Sequence, residues 1–180
     1  PRRSCLLHVY TTGLFPTRYV PTVFENYAKR VEHKSKSYMM ELYDSAGQEE
    51  WDQLRLMMYP CADVFLLCFS VVDRCSFMNV EGKWYGELRN HSSKNAVTIL
   101  VGLQNDRRED ALKSQQQQVS PSEAESLTKR LGMRAYVECS SLLRVDVDNV
   151  FTAALNAFTN KPLKSTTNST RSGTQRKRKR

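Results

Sequence analysis

The sequence predicts an α/β fold: a doubly wound, mostly parallel sheet with helices on both faces. Residues 62–70 and 96–102 are nearly unbroken apolar runs, as parallel strands covered on both faces require. Between them Phe77, Val80, Trp84 and Leu88 recur at helical spacing, so strand, helix and strand follow in the order of a crossover unit. The same stripe makes Trp84 a core residue rather than a ligand stacker.

Taken in order, residues 3–10 read as the remnant of a helix and residues 13–26 as a loop. Residues 27–33 and 37–43 read as a hairpin joined near Lys34. Between Trp51 and Tyr59, Leu54, Met57 and Met58 predict a short helix with one apolar stripe. After Asp106 the chain is polar through Gln118, and the run of four glutamines reads equally well as an inserted segment or a solvated linker. Ser120-Pro121-Ser122-Glu123 then supplies an N-cap, a proline at the first helical position and a capping-box acid, starting a helix that runs to about Leu131. Residues 135–138 read as the last short strand. Residues 147–158 read as the closing helix, with Val147, Val150, Phe151, Ala154 and Phe158 on one stripe. Beyond Lys161 the composition turns to Ser, Thr, Asn, Lys and Arg, which predicts a disordered tail over 161–180 behind a single domain over 1–160.

The net charge of +8 belongs to that tail. Residues 161–180 hold eight of the 27 basic residues and no acid, leaving 19 basic against 19 acidic residues in the rest. A nucleic-acid-binding fold carries its charge on the domain itself, so no nucleic-acid partner is expected. The five cysteines stand singly, without metal-ligand spacing. No apolar run approaches the roughly 20 residues of a membrane span. These features predict a soluble chain in a reducing, cytoplasmic compartment.

The chemistry centres on Asp44-Ser45-Ala46-Gly47-Gln48-Glu49, directly after the strand-like run 38–43. A γ-phosphate with Mg²⁺ needs an acid near the metal, a backbone N–H that approaches closely, and a group that aims water, roles open to Asp44, Gly47 and Gln48. Asp-x-x-Gly alone is common in ordinary turns, so further stretches must decide. Three do. Phe15-Pro16-Thr17-Arg18-Tyr19-Val20-Pro21-Thr22-Val23-Phe24-Glu25-Asn26-Tyr27 resembles the first switch of Rho-family small GTPases. Val101-Gly102-Leu103-Gln104-Asn105-Asp106 and Glu138-Cys139-Ser140-Ser141-Leu142 resemble that family's two guanine-reading loops. The resemblance runs from Arg3 to about Phe158, and Gln104 and Leu142 point to the Rac-like branch.

What the resemblance implies is a small-GTPase P-loop fold that binds GTP or GDP with Mg²⁺. Arg3, Ser4 and Cys5 match the end of the phosphate loop, with arginine where the family has lysine. Ser4, Thr22 and Asp44 would hold the metal, and Gly47 and Thr22 would meet the γ-phosphate. Gln48 would orient the attacking water. Phe15 would pack on the guanine plane, Tyr19 would cover the nucleotide, and Asp106, Ser140 and Ser141 would read the base. Leu103 departs from the family's Asn or Thr. The family's first strand and glycine-rich half-loop should precede Pro1, so the chain as given reads as a fragment. Exchange factors, GTPase-activating proteins and effector proteins are the implied partners. The alternative is a pseudo-GTPase scaffold that binds effectors or regulators without a nucleotide cycle, which Arg2, Arg3 and Leu103 favour. Arg176 to Arg180 resemble a polybasic segment that meets an acidic membrane, here the inner face of the plasma membrane; a nuclear import signal is the other reading of those charges.

Overall fold

The computed structural model describes residues 3–17, 24–45 and 51–160. Helix α1 (Arg3–Thr12) leads to an antiparallel hairpin, β1 (Phe24–His33) and β2 (Lys36–Ser45). A short α2 (Asp52–Met58) precedes β3 (Val64–Ser70), and α3 (Arg74–Asn79) runs through a π-helical segment, Val80–Tyr85, into α4 (Gly86–His91). Strand β4 (Val97–Leu103), α5 (Arg108–Lys113), α6 (Pro121–Arg130), β5 (Tyr136–Cys139) and α7 (Val147–Thr159) complete the described chain.

The described strands form two sheets, β1–β2 and a parallel β3–β4–β5. Successive residues of a strand face opposite sides, and β4 divides its side chains accordingly. Val97, Ile99, Val101 and Leu103 point to a core shared with α1 and α7, while Leu100 points to a second core shared with Leu67 and Phe69 of β3, Val80, Leu88 and α6. Tyr27, Val31, Met40 and Leu42 of the hairpin pack on the first core. This is the α/β, helix-covered parallel sheet that the apolar runs predict.

Local chemistry explains the element ends. The hairpin turns at Lys34 and Ser35, both with positive φ (49° and 59°), the backbone of a tight two-residue turn. Lys34 Nζ donates to Asn160 Oδ1 at 3.0 Å, pinning the turn to the end of α7. The capping box at Ser120 forms in both directions, from Glu123 N to Ser120 Oγ at 3.2 Å and from Ser120 N to Glu123 Oε2 at 2.9 Å. Gly102 sits where any side chain would collide: a Cβ there would lie 2.8 Å from Tyr136 Oη and 2.9 Å from Val71 Cγ1.

Two expectations are corrected. Of the stripe expected on α2, Leu54 (36%) and Met57 (72%) are exposed and Met58 is half-buried, and the residue the helix buries is Arg55 at 3%. Arg55 reaches Glu87 through Nε at 2.8 Å and Nη2 at 2.9 Å, and Asp52 at 2.6 Å, so an ion pair anchors the helix beside Leu56, which packs half-buried on the second core. The polar stretch after Asp106 contains the helix α5, and it is not a free linker. Gln116 Nε2 donates to Val72 O at 2.7 Å and Gln118 Nε2 to Arg108 O at 2.7 Å. Among the described residues no helix is long and apolar enough to cross a membrane.

Candidate nucleotide site

In an open parallel sheet, ligands bind where loops leave the carboxyl ends of the strands. Leu103 of β4 and Cys139 of β5 are register partners, so the loops that follow start side by side. After β4, Gln104 takes a left-handed conformation (φ 64°) and the chain closes into a short helical turn, Asn105–Arg107, leaving Asp106 half-exposed. After β5, Ser140 is fully buried. Its N–H donates to Val145 O at 2.9 Å and its Oγ accepts from Leu143 N at 3.0 Å. That hydroxyl therefore shapes the loop, and Ser141, half-exposed, is the serine that faces outward. Burial, then the neighbouring Cys68, Asp146, Asp106 and Glu138, pushes the Cys139 thiol up to about 12, which places Asp106 in electrostatic reach of the second loop.

The first helix closes on the same end. Tyr10 stacks on Phe151 of α7 with ring centroids 3.5 Å apart, and Lys29 Nζ both donates to Tyr10 O at 2.7 Å and lies over its ring. Gly13, with φ 78°, ends the helix, its N–H donating to Val9 O at 2.9 Å. Arg144, from the loop after β5, donates to Gly13 O at 3.3 Å. Two residues on, Phe15 packs half-buried against the first core. Phe15 and the Ser140 loop are thus brought to one side of the molecule.

At the start of α1, Arg3 and Ser4 are half-exposed, whereas Cys5 is buried at 7%, and Leu6, Leu7, Val9 and Tyr10 hold the helix to the first core. Arg3 lines a cavity together with Asp44, which is 4% exposed near the end of β2. Both act on Cys68: burial pushes that thiol up to about 12, with Arg3 opposing and Asp44 adding to the rise. A cation at a helix start and a buried carboxylate therefore share one neighbourhood. Tyr19, Thr22, Gly47, Gln48 and the tail charges Arg176 to Arg180 lie outside the described residues.

A family model described as the Ras family matches residues 2–160. The chain belongs to the Ras family. Its fold is accordingly that of a small GTPase, with the parallel sheet and flanking helices of the P-loop architecture, and GTPase switching is the general activity of the family.

Behind the motif loops of this small GTPase stands a set of supports that motif reading passes over. Arg108 clamps Glu138 with Nη2 at 2.6 Å and Nε at 3.1 Å, and its Nη1 reaches Val119 O at 2.9 Å. Tyr136 Oη donates to the same carboxylate at 2.5 Å. The clamp ties the turn after Asp106 to β5, whose end carries the Ser140 loop. Nothing local in the sequence signals it, because Arg108 and Glu138 are 30 residues apart.

Proposed function

We propose that this Ras-family chain is a Rho-type GTP-binding switch, nearest the Rac-like branch, that holds GTP or GDP with Mg²⁺, hydrolyses GTP slowly and signals to effectors through its switch loops. The observation that carries the reading is the alignment of Leu103 with Cys139, which sets the Asp106 turn beside the Ser140 loop, the pair of stretches that resemble the guanine-reading loops.

The residues present fit the metal. Mg²⁺ is usually held by one or two carboxylates together with phosphate oxygens rather than by a cage of side chains. Among the described residues no group of three or more His, Cys, Asp or Glu side chains is built to hold a metal, while a single buried carboxylate, Asp44, stands near the α1 start that carries Ser4. In this reading Asp44, Ser4 and Thr22 hold the ion. When bound, it neutralises charge on the β- and γ-phosphates. Arg3 offers a planar, permanently charged fork to phosphate oxygens. Asp106 accepts hydrogen bonds from guanine that adenine cannot supply, a strong discriminator. Phe15 and Tyr19 cover the base and nucleotide, the Gly47 N–H meets the γ-phosphate, and Gln48 orients the water. Effectors, exchange factors and activators would read the outward rows of β2 and α2, where Met39, Tyr43, Leu54 and Met57 are exposed. Arg176 to Arg180, at roughly 1 kcal/mol per charge near an anionic leaflet, would add a reversible contact with the plasma membrane.

Titration with a fluorescent GTP analogue and Mg²⁺ tests the proposal. GTP should displace the analogue and ATP should not, and Asp106→Ala should abolish the difference. Equal competition by GTP and ATP in the unmutated chain would refute it.

A further inference from the structure

The clamp of Arg108 on Glu138 is more exacting than an ion pair needs to be. Four of the five N–H donors of Arg108 are committed: Nε and Nη2 to Glu138 at 3.1 and 2.6 Å, and Nη1 to Val119 O at 2.9 Å and Gln118 Oε1 at 3.2 Å. An exposed pair that merely neutralises charge contributes little and leaves its arginine free to turn. Here the two side chains are only 22% and 19% exposed, and the guanidinium has one orientation that meets every acceptor. Gln118, the last of the four-glutamine run, grips the same residue by its backbone, donating from Nε2 to Arg108 O at 2.7 Å. Gln118 is itself held, since Arg74 of α3 donates from Nη1 to its carbonyl at 3.0 Å and from Nη2 to Glu123 at 2.9 Å. On the other side Tyr136 Oη donates to Glu138. The register partner of Glu138 on β4 is Gly102, where a Cβ would stand 3.1 Å from Glu138 Cγ, so β4 omits a side chain where the carboxylate sits.

Position in the chain gives the clamp its meaning. Arg108 stands two residues after Asp106, and Glu138 two residues before Ser140. The Asp106 turn leaves β4 at Leu103, the register partner of Cys139, and is tied back at Arg108 to Glu138, the residue before Cys139. Both ends of the turn are thus pinned to the strand that carries the Ser140 loop. A carboxylate that reads a base through paired hydrogen bonds must be held within about 0.5 Å of its working position, and Asp106, half-exposed on a three-residue turn, gains that precision from what fixes the turn's ends. We propose that Arg108, held by Glu138 and Gln118, is a positioning residue for the guanine base: it aims Asp106 and so sets how long and how selectively the chain keeps a guanine nucleotide. The proposal rests on the guanine-binding reading above. It also gives the glutamine run a task, because Gln118 links the base-reading turn to Arg74 and Glu123 on the α3 and α6 side of the molecule.

The test uses the full chain with Mg²⁺ and fluorescent diphosphates of guanosine and inosine. Hypoxanthine is guanine without the 2-amino group, so the ratio of the two affinities reads how well Asp106 is aimed at both donors of the base. Arg108→Lys keeps the charge but loses the planar fork. It should release the guanosine diphosphate at least about fivefold faster and lower the preference for guanosine over inosine at least about threefold. Gln118→Ala leaves the ion pair in place, so the fold is kept, and should move both readouts in the same direction by at least about twofold. A clamp that only stabilised the fold would lower Tm and leave the preference untouched. An unmutated chain that binds neither diphosphate, or holds the two alike, would overturn the guanine reading and this proposal together. A preference or a release rate that both variants leave unchanged would overturn this proposal alone.

Discussion

Arg55→Ala should be among the most damaging single changes in the described domain, although α2 is short and two of its apolar residues, Leu54 and Met57, are exposed. The guanidinium is 3% exposed and donates twice to Glu87, whose side chain is 17% exposed, and once to Asp52, at 39%. It also lies 5.1 Å from the centre of the Trp84 ring. Breaking a fully buried pair costs roughly 3–5 kcal/mol because the surviving charge is stranded. Here water still reaches part of both acids, and the Tyr59 hydroxyl, 2.5 Å from Glu87 Oε1, remains as a donor, which lowers the expected loss to about 2–3 kcal/mol. Within a total stability of about 5–15 kcal/mol, that is a shift of several degrees in Tm. The pH dependence separates an ion pair from a mere packing defect. Burial pushes the Glu87 carboxyl up, but the hydrogen bonds from Arg55 and Tyr59, with the fields of Arg55 and Lys83, outweigh it and hold the group below its usual 4.5. A carboxylate so depressed stabilises the fold fully above its unfolded pKa and loses that contribution as the pH falls through the folded one. Urea unfolding followed by circular dichroism should therefore show a larger gap between wild type and Arg55→Ala at pH 7 than at pH 4. Adding Glu87→Gln to Arg55→Ala should recover part of the loss at pH 7, since no stranded charge remains. A gap under about 0.5 kcal/mol at pH 7, or one that does not change with pH, would refute the reasoning.

Gly102→Ala should destabilise the domain by about 1–3 kcal/mol through overpacking, since the new Cβ would meet Tyr136 Oη, Val71 Cγ1 and Glu138 Cγ at 2.8, 2.9 and 3.1 Å; thermal melts should show a lower Tm. The side-chain hydrogen bond from Arg74, then the N–H of Ser120, hold Glu123 down to about 2 against an ordinary 4.5. That contribution should be complete above about pH 4.5 and fade as the pH falls toward about 2, and Arg74→Met should visibly flatten the acid limb of a stability-versus-pH curve. Gln48→Leu should keep GTP binding while removing the partner-stimulated hydrolysis that an arginine finger raises by roughly 10³ to 10⁵; unchanged stimulated turnover, measured as phosphate release, would take Gln48 out of the mechanism.

What was legible in the sequence was what neighbours in the chain decide. The capping box at Ser120, the apolar runs of β3 and β4 and the stripe on α7 each depend on residues a few positions apart, and each forms. Helix α5 also carried a readable signal that apolar periodicity passed over: Glu109 and Asp110 in its first turn and Lys113 in its last, the order that the helix dipole favours. The side α2 buries was not readable, because its anchor is a carboxylate 32 residues downstream. Counting apolar residues cannot reveal a cation buried by an ion pair. The candidate site divides in the same way. Asp106 and the Ser140 loop could be picked out because each is a short contiguous motif that resembles the family's, and each folds as a local turn, one made by Gln104 at positive φ and the other closed by the Ser140 hydroxyl on Leu143 N. The clamp of Arg108 on Glu138 that supports both could not. A loop holds a binding geometry only as firmly as its supports allow, so Arg108, Glu138 and Tyr136, joined across the fold, set how firmly the two loops proposed to read guanine are held.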